Sequence, residues 1–460
     1  MLIIVLKFGG SSQCKEGLNV ILSKTSEYWE KNYSIIFVIS AVGKTTNNLY
    51  SIINGNYDVF DIIYEQHKKL SNDIGINFEV IEKKLFELKE EIIKLQTIKT
   101  ILEEQIDKID NFTHNIKIKI ISFGEVLSSM IVYEYLKKNV DKYSDNICYY
   151  DVKKLIQNKN PSSSIDKQTL NIKGEFYCEE QEIFNIKQYL KDKKIIITQG
   201  FIASTSDNKI CILTRSGSNT SASLITSALD AERLEIWTDV SGLYTSDPRK
   251  ITNTKVIKNV NYSVCQEAAA MGSQIIHPFS IKPCQEKSIP IHIKNTFSPN
   301  DEGTIITNTT NLTDEVHLIS SQSDVILFEI TSLDMWESYG FVYDIFSSFN
   351  EEKIDVNIIT TSQFTISTTT NEKSIIKINN LITKLQKKYS LNIIHDCAII
   401  SIIASNVKNN EQIQKIHNLI STKQSIYMIH YGANNLSLSY VVNKNYGLEL
   451  METLHSNLII

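Results

Sequence analysis

The chain has 460 residues, 42% hydrophobic and 22% charged, which suits an ordinary globular protein of two or three domains with real cores. A net charge of −5 gives no basic footprint for nucleic acid, and no stretch is apolar enough to span a membrane. The seven cysteines have no CxxC or Cys/His spacing, so reduced structural thiols and no metal site are expected.

In chain order, Leu2-Ile3-Ile4-Val5-Leu6 is a continuous apolar run and reads as a buried parallel strand. It is too short for a signal segment and lacks a basic start, so an unprocessed cytoplasmic protein is expected. The strand breaks into Lys7-Phe8-Gly9-Gly10-Ser11-Ser12. Without Cβ atoms at Gly9 and Gly10 the backbone can point N–H groups into one concavity, with Lys7 as a point charge for phosphoryl oxygens. Alone, such a turn reads by default as a plain glycine turn with a surface lysine.

A helix over 16–31 and a second buried strand over 34–39 follow, and this alternation predicts a parallel α/β sheet. That strand stops in Ser40-Ala41-Val42-Gly43-Lys44-Thr45-Thr46-Asn47, small and hydroxyl-rich where ligands sit in such sheets. Residues 61–110 read as a long amphipathic helical stretch with Phe86, Leu88, Ile92, Ile93 and Leu95 on its apolar stripe. Ser122-Phe123-Gly124-Glu125 is expected to open a new helix, with Glu125 in its first turn. Residues 149–180 are polar and loop-like. Strands at 194–202 and 210–213 lead into glycine turns, the second entering a helix through Thr214-Arg215-Ser216-Gly217-Ser218-Asn219. A further strand, Leu234 to Thr238, runs into a loop fixed by Pro248.

Past a polar boundary at 298–315 the pattern repeats. Strand 324–330, helix 340–352, strands 354–360 and 363–369, helix 373–388 and strand 390–395 make one βαββαβ unit. Strand 397–404, helix 409–421, strands 425–431 and 436–442 and a last helix make a second that lacks its closing strand. The surplus strand 316–320 is expected to complete it.

KFGGSS, SAVGKTTN, SFGE, ITQGFIA, TRSGSNTSA and WTDVSGLYTSDPR occur in the order and spacing of the amino acid kinase family. With EAAAMGSQIIHP and the final LHSNL, the chain most resembles the aspartate kinase branch, of the monofunctional lysine-sensitive type. The resemblance implies a kinase domain over 1–298, with an open, mainly parallel sheet and helices on both faces. A linker over 299–315 would lead to paired ferredoxin-like ACT units over 316–460, the first about 322–396 and the second about 397–460. It implies MgATP-dependent phosphorylation of the side-chain carboxylate of L-aspartate to 4-phospho-L-aspartate, the first step toward the aspartate-family amino acids. ATP would carry the Mg2+.

By the same resemblance, Lys7 stabilises the transferring phosphoryl group, and Gly9, Gly10 and Ser11 hold phosphate oxygens. Arg215 grips the substrate α-carboxylate, Glu125 takes the α-ammonium, Thr46 and Phe201 shape the pocket, and Ser218 hydrogen-bonds substrate or phosphate. Thr238, Asp239, Tyr244 and Arg249 form the nucleotide wall. Met335, Ser338, Phe341, Val356, Asn357, Thr361 and Gln363 match an amino-acid effector site, and a homodimer through the ACT units is implied.

The chain departs from the pattern at Asn219, where the family usually has Asp, and at Gln274, where it usually has Lys. An anion and a cation lost together keep local charge balanced, which favours folding, but each lost electrostatic stabiliser typically costs about 100- to 1,000-fold in rate. The alternatives are therefore a catalytically impaired or inactive amino-acid-binding regulatory homologue, or an acyl kinase for a different amino acid. Asn357 and Gln363 stand where carboxylates would receive a lysine ammonium, so a weakened or altered lysine response is expected.

Overall fold

The computed structural model describes residues 2–101, 106–167, 169–214, 216–273, 275–308, 316–337, 339–408, 410–413, 416, 420 and 425–459. They form two compact units. One comprises Met1–Leu243, Lys258–Tyr262 and Ile275–Thr309; the other comprises Tyr244–Ile257, Ser263–Gln274 and Thr310–Ile460. The division differs from a single boundary near 298, because two short stretches of the N-terminal part are counted in the second unit.

The strands of the first unit are β1 (Leu2–Phe8), β2 (Tyr33–Ile39), β3 (Ile147–Tyr150), β4 (Ile156–Asn158), β5 (Phe176–Cys178), β6 (Ile195–Gln199), β7 (Ile202–Thr205), β8 (Ile210–Ile212), β9 (Arg233–Thr238), β10 (Asn259–Asn261), β11 (Ile291–Asn295) and β12 (Thr304–Thr307). They build an eight-stranded sheet in the order β10-β12-β11-β9-β1-β2-β6-β3 and a small sheet β5-β4-β7-β8. The large sheet is parallel from β11 to β3; β12 runs antiparallel to β11. Every residue of β2 is buried, so helices cover both faces, and that is why these strands read as unbroken apolar runs. The chain steps from β1 to β2, β3 and β6 on one side, then to β9 and β11 on the other. The strand order reverses beside β1, and that is where open α/β sheets hold ligands.

The expected helical stretch 61–110 is three helices, Val59–Asp73, Glu79–Ile101 and Ile106–Asn139. Gly75, at φ 70°, stands between the first two. The buried seam of the second is Ile81, Leu85, Leu88, Ile92 and Leu95, a four-three alternation. Phe86 and Ile93 lie off that seam and are about half exposed. The segment Ser122–Glu125 does not open a helix: it lies inside Ile106–Asn139. Among the described residues no helix is long and apolar enough to cross a membrane.

The second unit has β13 (Val316–Thr331), β14 (Ile359–Thr361), β15 (Thr365–Thr370), β16 (Ser390–Ala404), β17 (Met428–Tyr431) and β18 (Ser437–Asn443), in the order β14-β15-β13-β16-β18-β17. Segments expected as separate strands are halves of two long ones. β13 and β16 pair antiparallel along their length, with register shifts between Gln322 and Leu327. The C-terminal half of β13 pairs with β15, while its N-terminal half lies against the half of β16 that pairs with β18. Each end therefore has a four-stranded ferredoxin-like order, and Val316–Ser320 supplies the outer strand of the second. Helices Phe341–Glu351 and Ile375–Leu385 close one apolar core around Phe328, Phe349 and Leu381. Helix Lys444–Leu458 closes the other around Ile400, Tyr440 and Leu454. The predicted helix 409–421 falls largely outside the described residues. Of the expected strand 354–360 only the last two residues fall in β14; Ile354 and Ile358, before it, are buried.

Candidate active site

Lys7 is the next-to-last residue of β1, in register with Val38 of β2 and Ile236 of β9, and only 8% exposed. The Gly9 N–H donates to Trp237 O at 3.0 Å, fastening the glycine turn to the end of β9. That bond occupies the Gly9 amide, which was expected among the phosphate donors. A Cβ on Gly9 would make only ordinary contacts, 3.5 Å from Lys7 Nζ and from Trp237 O. Gly10 is required by close approach: its Cβ would meet Ala41 O at 2.8 Å and Gly43 O at 3.0 Å. Gly43 N–H donates to Gly10 O, Gly200 N–H to Ile39 O and Thr296 N–H to Thr238 O. Ser12 Oγ lies 2.7 Å from Thr296 Oγ1. The segments after β1, β2, β6, β9 and β11 are thus tied together at one edge of the sheet.

Glu125 reaches this edge from the middle of its helix. It is 3% exposed; Oε1 accepts the Ala41 N–H at 3.4 Å, and Oε2 is buried without a hydrogen-bond partner. Burial pushes its carboxyl up to about 8, with Lys7 pulling the other way. Burial also brings Lys7 down to about 8, against the attraction of Glu125 and then Asp239. An ammonium held near Glu125 would satisfy the open oxygen and restore the carboxylate. Gly124 lets Ala41 and Thr46 approach: its Cβ would lie 2.9 Å from Ala41 Cβ and 3.6 Å from Thr46 Oγ1.

Phe201, at φ 64°, receives the Leu213 N–H on its carbonyl and gives its own N–H to Ser221 Oγ. A Cβ on Gly200 would meet Ser218 Cβ at 2.5 Å, and one on Gly217 would meet the Phe201 ring at 2.5 Å, so Phe201 and Ser218 share one packed corner. Asn219, in the first turn of Gly217–Ala228, is 9% exposed, with Oδ1 buried and without a partner among the described residues. Thr238 Oγ1 donates to Asp239 Oδ1 at 3.1 Å, and Asp239 is exposed. Tyr244 and Arg249 belong to the second unit; Arg249 there forms a bidentate pair with Asp247 at 2.9 Å. Arg215 and Gln274 lie outside the described residues. Among the described residues no group of three or more His, Cys, Asp or Glu is gathered for a metal.

The sequence pattern of the amino acid kinase family matches residues 2–295. The chain belongs to that family. Relatives similar over the whole chain include a chloroplastic aspartokinase 2 of Arabidopsis thaliana, 27% identical over 98% of this chain and 83% of that protein. The lysine-sensitive aspartokinase 3 of Escherichia coli K12 is 25% identical over 99% of each. Among solved structures, Escherichia coli aspartokinase III in complex with aspartate and ADP is similar with a TM-score of 0.81 at 22% identity, covering 100% of both chains.

Beneath the end of β9 lies a network not singled out from sequence. Glu235, 2% exposed on β9, accepts Tyr28 Oη at 2.6 Å, Arg233 Nε at 3.0 Å and Trp237 Nε1 at 3.1 Å. It clamps the residue whose carbonyl anchors Gly9. A lone acid in a buried strand was the signal. In the second unit, Met335, Phe341 and Gln363 line a cleft of about 660 Å³ with Trp336, Glu337 and Tyr343. Val356 packs instead on the apolar core, Asn357 is bonded to Asn371, and Thr361 is exposed on β14. Ser338 lies outside the described residues.

Proposed function

We propose that this amino acid kinase transfers the γ-phosphoryl group of ATP to the side-chain carboxylate of L-aspartate, giving 4-phospho-L-aspartate and ADP. The observation that supports it best is the pairing of a buried Lys7 with a buried, half-satisfied Glu125 at the reversal point of the sheet. Phosphoryl transfer asks for positioning and charge stabilisation more than covalent help. Lys7 stabilises the transferring group. The amides of Gly10 and Ser11 hold phosphate oxygens, while Thr238, Asp239, Tyr244 and Arg249 contact the nucleotide. Glu125 takes the amino acid's ammonium, Arg215 its α-carboxylate, and Thr46, Phe201 and Ser218 enclose it. Mg2+ would be carried by the nucleotide and would supply charge neutralisation on its phosphates. The first unit is the catalytic domain, and the second is a paired ACT domain that binds an amino-acid effector and joins two copies of the chain.

The unpartnered Asn219 Oδ1 favours a second reading, a regulatory homologue that binds its ligands with little or no turnover. Hydroxylamine trapping of the acyl phosphate with MgATP and L-aspartate, L-glutamate or acetylglutamate separates the two. Hydroxamate formed with aspartate alone supports the kinase. None with any acceptor, alongside intact ligand binding, supports the regulatory homologue, and Asn219→Asp with Gln274→Lys is then the rescue to make.

A further inference from the structure

The loop Tyr244–Ile257 is held entirely as part of the second unit. Thr245 gives its N–H to Lys255 O at 2.9 Å, and its Oγ1 accepts the Lys255 N–H at 3.0 Å. Its carbonyl accepts the Ile319 N–H of β13 at 2.9 Å, and Ser246 Oγ donates to Ile319 O at 2.9 Å. Thr245 Oγ1 also lies 2.9 Å from Nε2 of His455, on helix Lys444–Leu458. Both residues are buried, Thr245 at 8% and His455 at 6% exposure. Ile251, further along the loop, is built into the apolar cluster of Ile319, Ile400 and Leu454.

Burial, and then Lys255, hold the His455 imidazole below its ordinary pKa, so the ring is neutral at neutral pH. Thr245 Oγ1 already accepts from Lys255, and its hydroxyl proton is the one left to give to Nε2. A side chain needed only to fill this interior would be served by leucine. A hydrogen bond to the residue beside Tyr244 would not.

We infer that His455 is a positioning residue for the segment Tyr244–Arg249, setting through Thr245 the placement of the side chains that contact the nucleotide. The inference rests on the nucleotide-binding reading of Tyr244 and Arg249 above. One buried hydrogen bond of this kind corresponds to about two- to tenfold in affinity.

The test is calorimetric, using MgADP and, separately, L-aspartate on the full chain, so that it does not depend on turnover. His455→Leu and Thr245→Val are expected to weaken MgADP binding within that range and leave aspartate affinity unchanged. His455→Gln, whose amide oxygen can accept the Thr245 hydroxyl in place of Nε2, and Thr245→Ser are expected to restore it. The double variant His455→Leu/Thr245→Val should lose no more than either single one, because one bond is removed once. If His455→Leu fails to fold, the Thr245→Val and Thr245→Ser pair carries the comparison. Tyr244→Ala and Arg249→Ala serve as controls. Weakened MgADP binding in them with none in His455→Leu or Thr245→Val overturns the positioning role alone. Unchanged binding in the controls removes the nucleotide reading and the inference with it. An equal loss of MgADP and aspartate affinity assigns His455 a merely structural role and also overturns the inference.

Discussion

Glu125 and Lys7 hold opposite protonation problems in one small space. The folded chain keeps a proton on Glu125 up to about 8, where an ordinary glutamate loses it near 4.5. Its contribution to stability is therefore fully present below about 4.5 and is lost as pH rises through about 8. Binding of an amino-acid ammonium needs the carboxylate, so affinity for L-aspartate should rise with pH up to about 8 and then level. At pH 6.5, calorimetry in buffers of different ionisation enthalpy should show about one proton released per ligand bound, and none in Glu125→Gln. Binding heats independent of buffer in the native chain would remove Glu125 from the ammonium site. Lys7→Met should reduce hydroxamate formation by about 100-fold or more while aspartate affinity persists. Lys7 and the glycines were legible because they break an apolar run. Glu235 and His455 were not, since Tyr28 lies 207 positions from the first and Thr245 lies 210 from the second.

Turns and strands set what the sequence could and could not disclose about elements. Strands β1, β2 and β6 stood out because burial on both faces demands nearly continuous apolar side chains. Glu125 was expected in the first turn of a helix opening at Ser122; it lies instead inside the helix Ile106–Asn139, which runs through Ser122 and Gly124. Gly124 is there for the approach of Ala41. β13 and β16 were each divided in two because the register shifts between Gln322 and Leu327, with Asp324 at φ 60°, interrupt the alternation that a strand shows in sequence. The turn after β1 gives a direct test. Gly10→Ala drives a Cβ against the Ala41 and Gly43 carbonyls, and overpacking of this sort costs about 1–3 kcal/mol. A lower thermal midpoint together with weakened MgADP binding is expected. An unchanged midpoint would mean that the two carbonyls yield freely.

At the scale of the molecule, a homodimer was expected on the ground that ACT sheets leave open edges. The two edge strands here are not free of each other: Thr360 Oγ1 donates to Ile429 O at 3.4 Å, and His430 Nδ1 lies 3.2 Å from Ile359 O. The better ground is apolar surface, with Tyr339 fully exposed and Leu333 and Tyr343 at 79% and 77% beside the cleft of Trp336. Sedimentation equilibrium should show a dimer, and Leu333→Asp with Tyr339→Asp should shift it to monomer; a native chain that sediments as a monomer refutes the assembly.

Because β13 and β16 each run through both ferredoxin-like halves, neither half owns a complete set of strands. A fragment beginning at residue 397 would lack the outer strand that Val316–Ser320 provides, however carefully its end was chosen. The two halves can be inherited or transplanted only as one cassette, and a chimaera exchanging a single half must carry the foreign portion of both long strands with it.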